Sequence, residues 1–228
     1  IVENFSMQLK DQVTFPNLGN KGRLGNQLFQ IAATISTALD HNLDYFFPEW
    51  KYNEFLKNKI PVVNGLKSSH LYTEPSFRYN PIILSGSSLL VTDYLHQVCV
   101  YALDGYFQSR KYFEKNETFI REQFTPSQEI YNKLNQKYNP LHGTNCAIHV
   151  RRGDYVDLSY YHQIKMDYYE ASMLKINQET GISHFYVFSD DIEWCKENFK
   201  NIAYRYTFVE GNTDFEDLML MSFFKHQI

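Results

Sequence analysis

The sequence predicts an α/β protein whose second half is a parallel, doubly wound sheet, and three observations carry that expectation. From residue 145 onward, short apolar strands alternate with helical segments, as parallel βαβ units require. Gly22-Arg23-Leu24-Gly25 stands directly before a run with helical apolar spacing. Cys146–Val150 is an apolar strand that ends in Arg151-Arg152-Gly153-Asp154, and open α/β sheets take their ligands at the carboxyl ends of strands.

The elements follow in order. Phe29, Ile31, Ala32, Ile35, Ala38 and Leu39 recur at helical spacing and predict a first helix from Asn26 to Asn42. Asp44–Phe47 reads as a short aromatic strand closed by Pro48. From Pro61 to Leu103 the pattern is irregular, with turn signals at Asn64-Gly65, Asn80-Pro81 and Ser85-Gly86 and strand candidates at 82–84 and 88–91. Gly105-Tyr106-Phe107-Gln108 precedes a polar helix over 111–123, and a second helix spans 127–138. The turn formers of Asn139-Pro140-Leu141-His142-Gly143 mark a linker, dividing the chain into lobes at 1–140 and 141–228. Strands at 145–151, 184–188 and 204–209 then alternate with helices at 167–179, 191–199 and 214–225. Asp190 with Glu193, and Asp214 with Asp217, have capping-box spacing at the last two helices. A sheet whose chain ends on such a helix leaves an unpaired edge and an apolar helix face, which points to a fragment.

Composition narrows the function. A net charge of −4 and a pI near 6.1 give no basic footprint for nucleic acid, so a bound anion is small and held locally. Three cysteines without metal or CxxC spacing predict free, buried thiols and a reducing compartment. No run approaches the ~18 apolar residues of a membrane span. The chain begins at Ile1, so it is either processed or a piece of something longer. Aromatic residues make up 17% of the chain, enough to supply rings for stacking on sugars as well as an ordinary core.

Both arginine-bearing motifs suit a diphosphate. At the first, Gly22 and Gly25 flank Arg23 where a helix begins, so backbone N–H groups and a guanidinium converge on one place. At the second, a period of two sets His149 and Arg151 on one face, while Arg152 faces the other. Arg151 is therefore assigned to the ligand, and Arg152, at its border, to a structural pairing with Asp154 or a neighbour. Ser189-Asp190-Asp191 lies at the same sheet rim. Its carboxylates either cap the following helix or accept from the N–H edge of a base such as guanine. No Asp-x-Asp triplet is present, and no metal is expected. Asp154 and Asp157 are both candidates for a general base, while His162, His184 and His226 show no ligand spacing. Asn4-Phe5-Ser6 and Asn116-Glu117-Thr118 are glycosylation sequons. Arg152-Gly153-Asp154 also spells a peptide that cell-surface receptors recognise, an adhesion reading that requires an exposed loop tip.

Taken together, GRLGNQLFQ at 22–30, GYFQSRKYF at 105–113, HVRRGDY at 149–155, FSDDIEWCKENF at 188–199 and DFEDLMLMSFFKH at 214–226 resemble the α-1,2-fucosyltransferase family over most of the chain. The resemblance implies a GT-B-like fold of two Rossmann-like lobes, with 1–140 on the acceptor side, 141–228 binding GDP-fucose, and the site where the lobes meet. It implies a C-terminal truncation, because the family continues beyond Ile228, and hence an incomplete second lobe. It also implies that His149 and Arg151 lie at the nucleotide diphosphate and that Gly25, Asn26 and Arg23 close the site from the first lobe; with the residue reading above, the expected catalytic residues are Arg151, Asp154 and Arg23, and the expected donor contacts Gly25, Asn26, His149, Arg152, Ser189, Asp190 and Asp191. The implied reaction is metal-free, inverting transfer of L-fucose from GDP-β-L-fucose to the 2-hydroxyl of a galactose-containing glycan. The alternatives are another sugar or protein acceptor, or a noncatalytic binding remnant. The expected location is the cytoplasm or the membrane periphery for a bacterial member, and the Golgi lumen for a eukaryotic member behind an upstream anchor.

Overall fold

The structure is a computed structural model that describes residues 10–65, 67–84, 98–140, 144–153 and 164–228. It comprises two compact units, Ile1–Ser127 and Gln128–Ile228.

The first unit holds a four-stranded sheet, β1 (Gln12–Thr14), β2 (Asp44–Phe46), β3 (His70–Thr73) and β4 (Val100–Asp104), in the order β2-β1-β4-β3. Every pair is parallel. Helix α1 (Leu24–His41) connects β1 to β2 and starts two residues before the expected Asn26, with Asn42 closing it in the left-handed conformation. Strands β1, β3 and β4 are not foreseen in the sequence, because three to five residues among irregular segments carry too little periodicity. The candidate at 82–84 forms no strand, and the one at 88–91, like the turn at Ser85-Gly86, lies outside the described residues. The expected helix over 111–123 is corrected to two 3-10 turns, Arg110–Tyr112 and Glu114–Asn116, and a short α2 (Glu117–Gln123). Phe113 sits between the turns at φ −140 and ψ 8, outside the helical region, and interrupts the helix there. The side-chain amide of Asn116 donates to Ser36 Oγ and Asp40 Oδ1, both at 2.9 Å, so this sequon asparagine is consumed internally.

The second unit contains α3 (Gln128–Tyr138), β5 (Asn145–Val150), α4 (Met166–Thr180), β6 (His184–Ser189), α5 (Ile192–Phe199), β7 (Arg205–Phe208), α6 (Asp214–Phe223) and β8 (His226–Gln227). Its sheet runs β7-β6-β5-β8, all parallel. Alternation sorts the two faces. Cys146, Ile148, Val150, Phe185 and Val187 bury against Tyr169, Met173, Cys195 and Phe199 of α4 and α5. The other face presents Tyr186 and Phe188, which meet Tyr138 of α3 and Phe224 beyond α6. Full burial of each large apolar side chain here contributes about 1.5–3 kcal/mol.

Three expectations change in this unit. The division falls after Ser127 rather than at 140, because α3 is bound to the second unit. Tyr186 donates its hydroxyl proton to the carbonyl of Tyr138 (2.8 Å), Tyr138 Oη donates to the carbonyl of Glu210 (3.2 Å), and Lys133 ion-pairs with Glu216 (2.5 Å). The chain does not end on a helix: β8 pairs with β5, the Ile228 N–H donates to the Ala147 carbonyl, and the His149 N–H donates to the Ile228 carbonyl. The caps shift by one residue. Asp191, not Asp190, caps α5 by accepting from the Trp194 N–H (3.2 Å), and the capping box of α6 is Thr213 with Glu216.

The three cysteines are free, with Cys146 and Cys195 buried. Burial pushes the Cys146 thiol up to about 12 and raises Cys195, so neither is a thiolate near neutrality. Among the described residues no helix is long and apolar enough to cross a membrane.

Candidate functional site

In the second sheet the chain runs from β5 outward through β6 to β7 and then returns to the other side of β5 as β8. The order reverses between β5 and β8, and in open parallel sheets such a switch point leaves a crevice at the strands' carboxyl ends. Residues 149–153 occupy that place.

Asp190, just beyond β6, organises the turn after β5. Its Oδ1 accepts from the N–H groups of Arg152 (2.8 Å) and Gly153 (3.1 Å), and its Oδ2 ion-pairs with Nη1 of Arg151 at 2.7 Å. Gly153 is required by this packing: a Cβ there would collide with the Asp190 carboxylate. Asp191 accepts from Nε of Arg152 (3.1 Å) through Oδ2 while its Oδ1 caps α5. The Arg152 guanidinium lies 4.0 Å over the Trp194 ring, a cation–π contact that leaves its side chain 19% exposed. Ser189 joins the strand ends, donating from Oγ to the Val150 carbonyl (2.8 Å) and accepting from the Asp191 N–H (2.9 Å).

These contacts change several expectations. All four carboxylate oxygens of Asp190 and Asp191 are engaged by the turn, the arginines and the helix, which gives both residues a positioning role. Arg152 pairs with Asp191 and stacks on Trp194, so its guanidinium is engaged internally, against what an adhesion peptide requires of its arginine. Asp154, Asp157 and His162 lie outside the described residues. His149 shares the sheet face of Tyr186 and Phe188 and keeps an exposed surface. Desolvation lowers its pKa below 6.5, Asp190 opposes this, and the charge of Arg151 adds to the lowering, so the ring is neutral at pH 7.

The first unit carries the other arginine-bearing motif, on the loop from β1 to α1. Gly22 has φ +79, and a Cβ there would strike the Asn26 side chain, so glycine is doubly required. Arg23 is the N-cap residue in extended conformation with no side-chain cap, and no acidic residue stands in the first turn of α1. The positive end of the helix dipole is therefore not neutralised by its own sequence. Gly25 has no protein atom within 4 Å of a built Cβ and lies inside the helix, where alanine is favoured. Packing does not demand this glycine.

Two buried glutamines, unread in the sequence because they interrupt the apolar pattern, hold this loop. Gln27 donates to the Gly22 carbonyl (3.0 Å) and accepts from Trp50 Nε1 (2.8 Å). Gln30 donates to the carbonyls of Lys21 (2.9 Å) and Gly105 (3.3 Å). Lys21 ion-pairs with Asp104 at 2.8 Å, and Gln108 donates to Asn26 Oδ1. Trp194 and Glu74, which accepts from the N–H groups of Tyr106 and Phe107, were likewise missed, since both act through contacts remote in sequence.

Two parallel α/β units, with an arginine turn held by carboxylates at the switch point of the second, define the chain as a protein of GT-B-like α/β fold similar to fucosyltransferases. The family model "Glycosyl transferase family 11" matches residues 6–228, and the chain belongs to that family, the α-1,2-fucosyltransferases. It is similar to an Escherichia coli alpha-1,2-colitosyltransferase, with 35% identity over 133 residues, 54% of this chain and 45% of the relative. It is also similar to a Caenorhabditis elegans galactoside 2-alpha-L-fucosyltransferase, with 26% identity over 195 residues, 76% of this chain and 52% of the relative. The chain spans about half the length of the curated relatives it matches. Among solved structures, POFUT1 in complex with GDP-fucose superposes with a TM-score of 0.61 at 13% identity, covering 95% of this chain and 90% of POFUT1. An Arabidopsis thaliana FUT1 variant with GDP gives 0.52 at 12% identity, covering 98% of this chain and 66% of the other.

Proposed function

We propose that the protein transfers L-fucose from GDP-β-L-fucose to the 2-hydroxyl of a galactose-type glycan acceptor with inversion at the anomeric carbon. The observation that carries the reading is the Arg151 turn at the β5/β8 switch point, whose guanidinium is oriented by Asp190. In this reading the acceptor oxygen bonds to C1 of fucose as the bond from C1 to the phosphate oxygen breaks, and the electron pair leaves with GDP. Arg151 meets the charge that develops on the departing diphosphate. His149, neutral at pH 7, hydrogen-bonds the donor beside it. Arg23, Gly25 and Asn26 offer the N-terminal amides of α1 and a guanidinium to the same kind of anion. Asp154 or Asp157 takes the acceptor proton.

The transfer is proposed to need no metal. Among the described residues the adjacent carboxylates at the rim are Asp190 and Asp191, and both are engaged by arginines and backbone N–H groups. GDP-fucose and a galactose-containing oligosaccharide are the proposed partners, with peripheral association at a membrane where the acceptor is lipid-borne. Incubating the protein with GDP-fucose and lactose, and assigning the product linkage by NMR, tests the reading. A fucose linked to the galactose 2-hydroxyl is expected; GDP-fucose binding without transfer would turn the reading to a noncatalytic remnant.

A second reading keeps the site and changes the sugar. The relative at 35% identity is named a colitosyltransferase, so GDP-colitose is a rival donor. Competition between the two donors in one reaction decides which is used.

A further inference from the structure

We propose that Phe77 and Tyr106 form a stacking platform for a pyranose ring of the glycan acceptor, a subsite that deepens the glycosyltransferase reading and rests on it. Phe77 is 78% exposed, the most exposed of the large apolar side chains of the described residues, on the turn after β3. Its ring lies 5.7 Å from that of the half-buried Tyr106 at 33°, so the solvent-facing aromatic surface is chiefly that of Phe77, backed by Tyr106.

The surrounding structure fixes the backbone at Tyr106 and Phe107 in an unusual conformation. Phe107 is fully buried yet has φ +51, a left-handed conformation rare for a bulky residue. The Glu74 carboxylate sustains it, with Oε2 accepting from the N–H groups of Tyr106 (2.7 Å) and Phe107 (2.9 Å) and Oε1 accepting from the Tyr112 hydroxyl (3.0 Å). Gly105 is needed because a Cβ there would meet Glu74. The backbone reversal sends Phe107 into the core and leaves Tyr106 half-buried beside Phe77. Strain of this kind persists where surrounding contacts over-determine it, and it gathers at binding sites.

Polar groups that suit sugar hydroxyls surround the rings. Lys21 Nζ lies 5.5 Å from the Tyr106 ring centre and is paired with Asp104, and Gln108 reaches Asn26. These contacts join the platform to the β1–α1 loop, so it is continuous with the candidate anion site of the same unit. An apolar surface edged by a few oriented donors and acceptors fits a pyranose, which presents C–H groups on a face and hydroxyls at its rim.

The test is lactose binding followed by saturation-transfer NMR on the wild type and on the F77A, F77W and Y106A variants, with melting temperatures measured alongside. Phe77 is exposed, so F77A should melt like the wild type. We expect F77A and Y106A to weaken lactose binding about tenfold, and F77W to retain it. GDP-fucose affinity, measured by calorimetry on the same proteins, should not change in F77A. Lactose binding that is undetectable in the wild type, or equal in wild type and F77A, would overturn the platform, as would loss of self-association in F77A with lactose binding intact. Failure of GDP-fucose to bind the wild type would count against the proposed function alone, because the lactose arm needs no donor.

Discussion

The Asp190 carboxylate fills the space that a side chain on Gly153 would occupy, and Gly153 in turn donates its N–H to that carboxylate at 3.1 Å. The turn therefore depends on glycine for reasons of packing, at a residue whose backbone would otherwise accept other side chains. Gly153→Ala should displace the carboxylate from Arg151 and Arg152 and cost about 1–3 kcal/mol of stability. Chemical denaturation measures it, and an unchanged midpoint would show that Asp190 yields freely.

Gly25 should behave in the opposite way. It has open space and a helical backbone, so Gly25→Ala should leave stability equal or raise it by up to about 1 kcal/mol. If the α1 amides hold a diphosphate, the same change should weaken GDP binding by about tenfold, or roughly 1.4 kcal/mol. Calorimetry and melting on one sample separate the two effects.

The two arginines should separate just as clearly. Arg151→Ala should lower turnover about a hundredfold, roughly 3 kcal/mol of barrier, with a small change in stability. Arg152→Ala removes the Trp194 contact and the Asp191 pair and should cost about 1–2 kcal/mol of stability with a smaller effect on turnover. Equal effects of both variants on turnover, with folding unchanged, would refute the assignment.

Asp190→Asn should lower turnover about tenfold by releasing Arg151, while leaving the preference for GDP over ADP intact. Titrating both nucleotides against the variant checks this. Loss of base selectivity would return Asp190 to reading the guanine edge.

Acidification should destabilise the second unit through two histidines. Desolvation lowers the pKa of His149 and of His184, and Arg205 lowers His184 further. Below about pH 6.5 the unfolded chain takes up protons that the folded chain refuses, so stability falls with pH and levels off below the folded-state values. The melting temperature should drop between pH 7.5 and 5.5, and His184→Asn should flatten that drop. An unchanged slope in the variant would exclude His184 as a source.

The regular half of the chain was legible because its signal is local. The strands at β5, β6 and β7 and the helices α4, α5 and α6 were expected within a few residues, since apolar periodicity and caps lie within each segment. In the first unit only α1 and β2 were readable, the long helix by its period and β2 by its aromatic run. Strands β1, β3 and β4 are too short to show a period, and they exist because neighbouring strands complete their hydrogen bonds.

At the candidate site, residue type and spacing are enough to place glycines and arginines at a helix start and a strand end. Their partners come from the fold. It gave Asp190 to Arg151 and the turn amides, Asp191 to Arg152 and α5, and the last residues of the chain to the edge of β5. Residues 37 to 39 positions apart supply the first two relationships, and about 80 positions separate β8 from β5. A carboxylate's partner is fixed by distance in space, and the sequence carries that distance only through the fold.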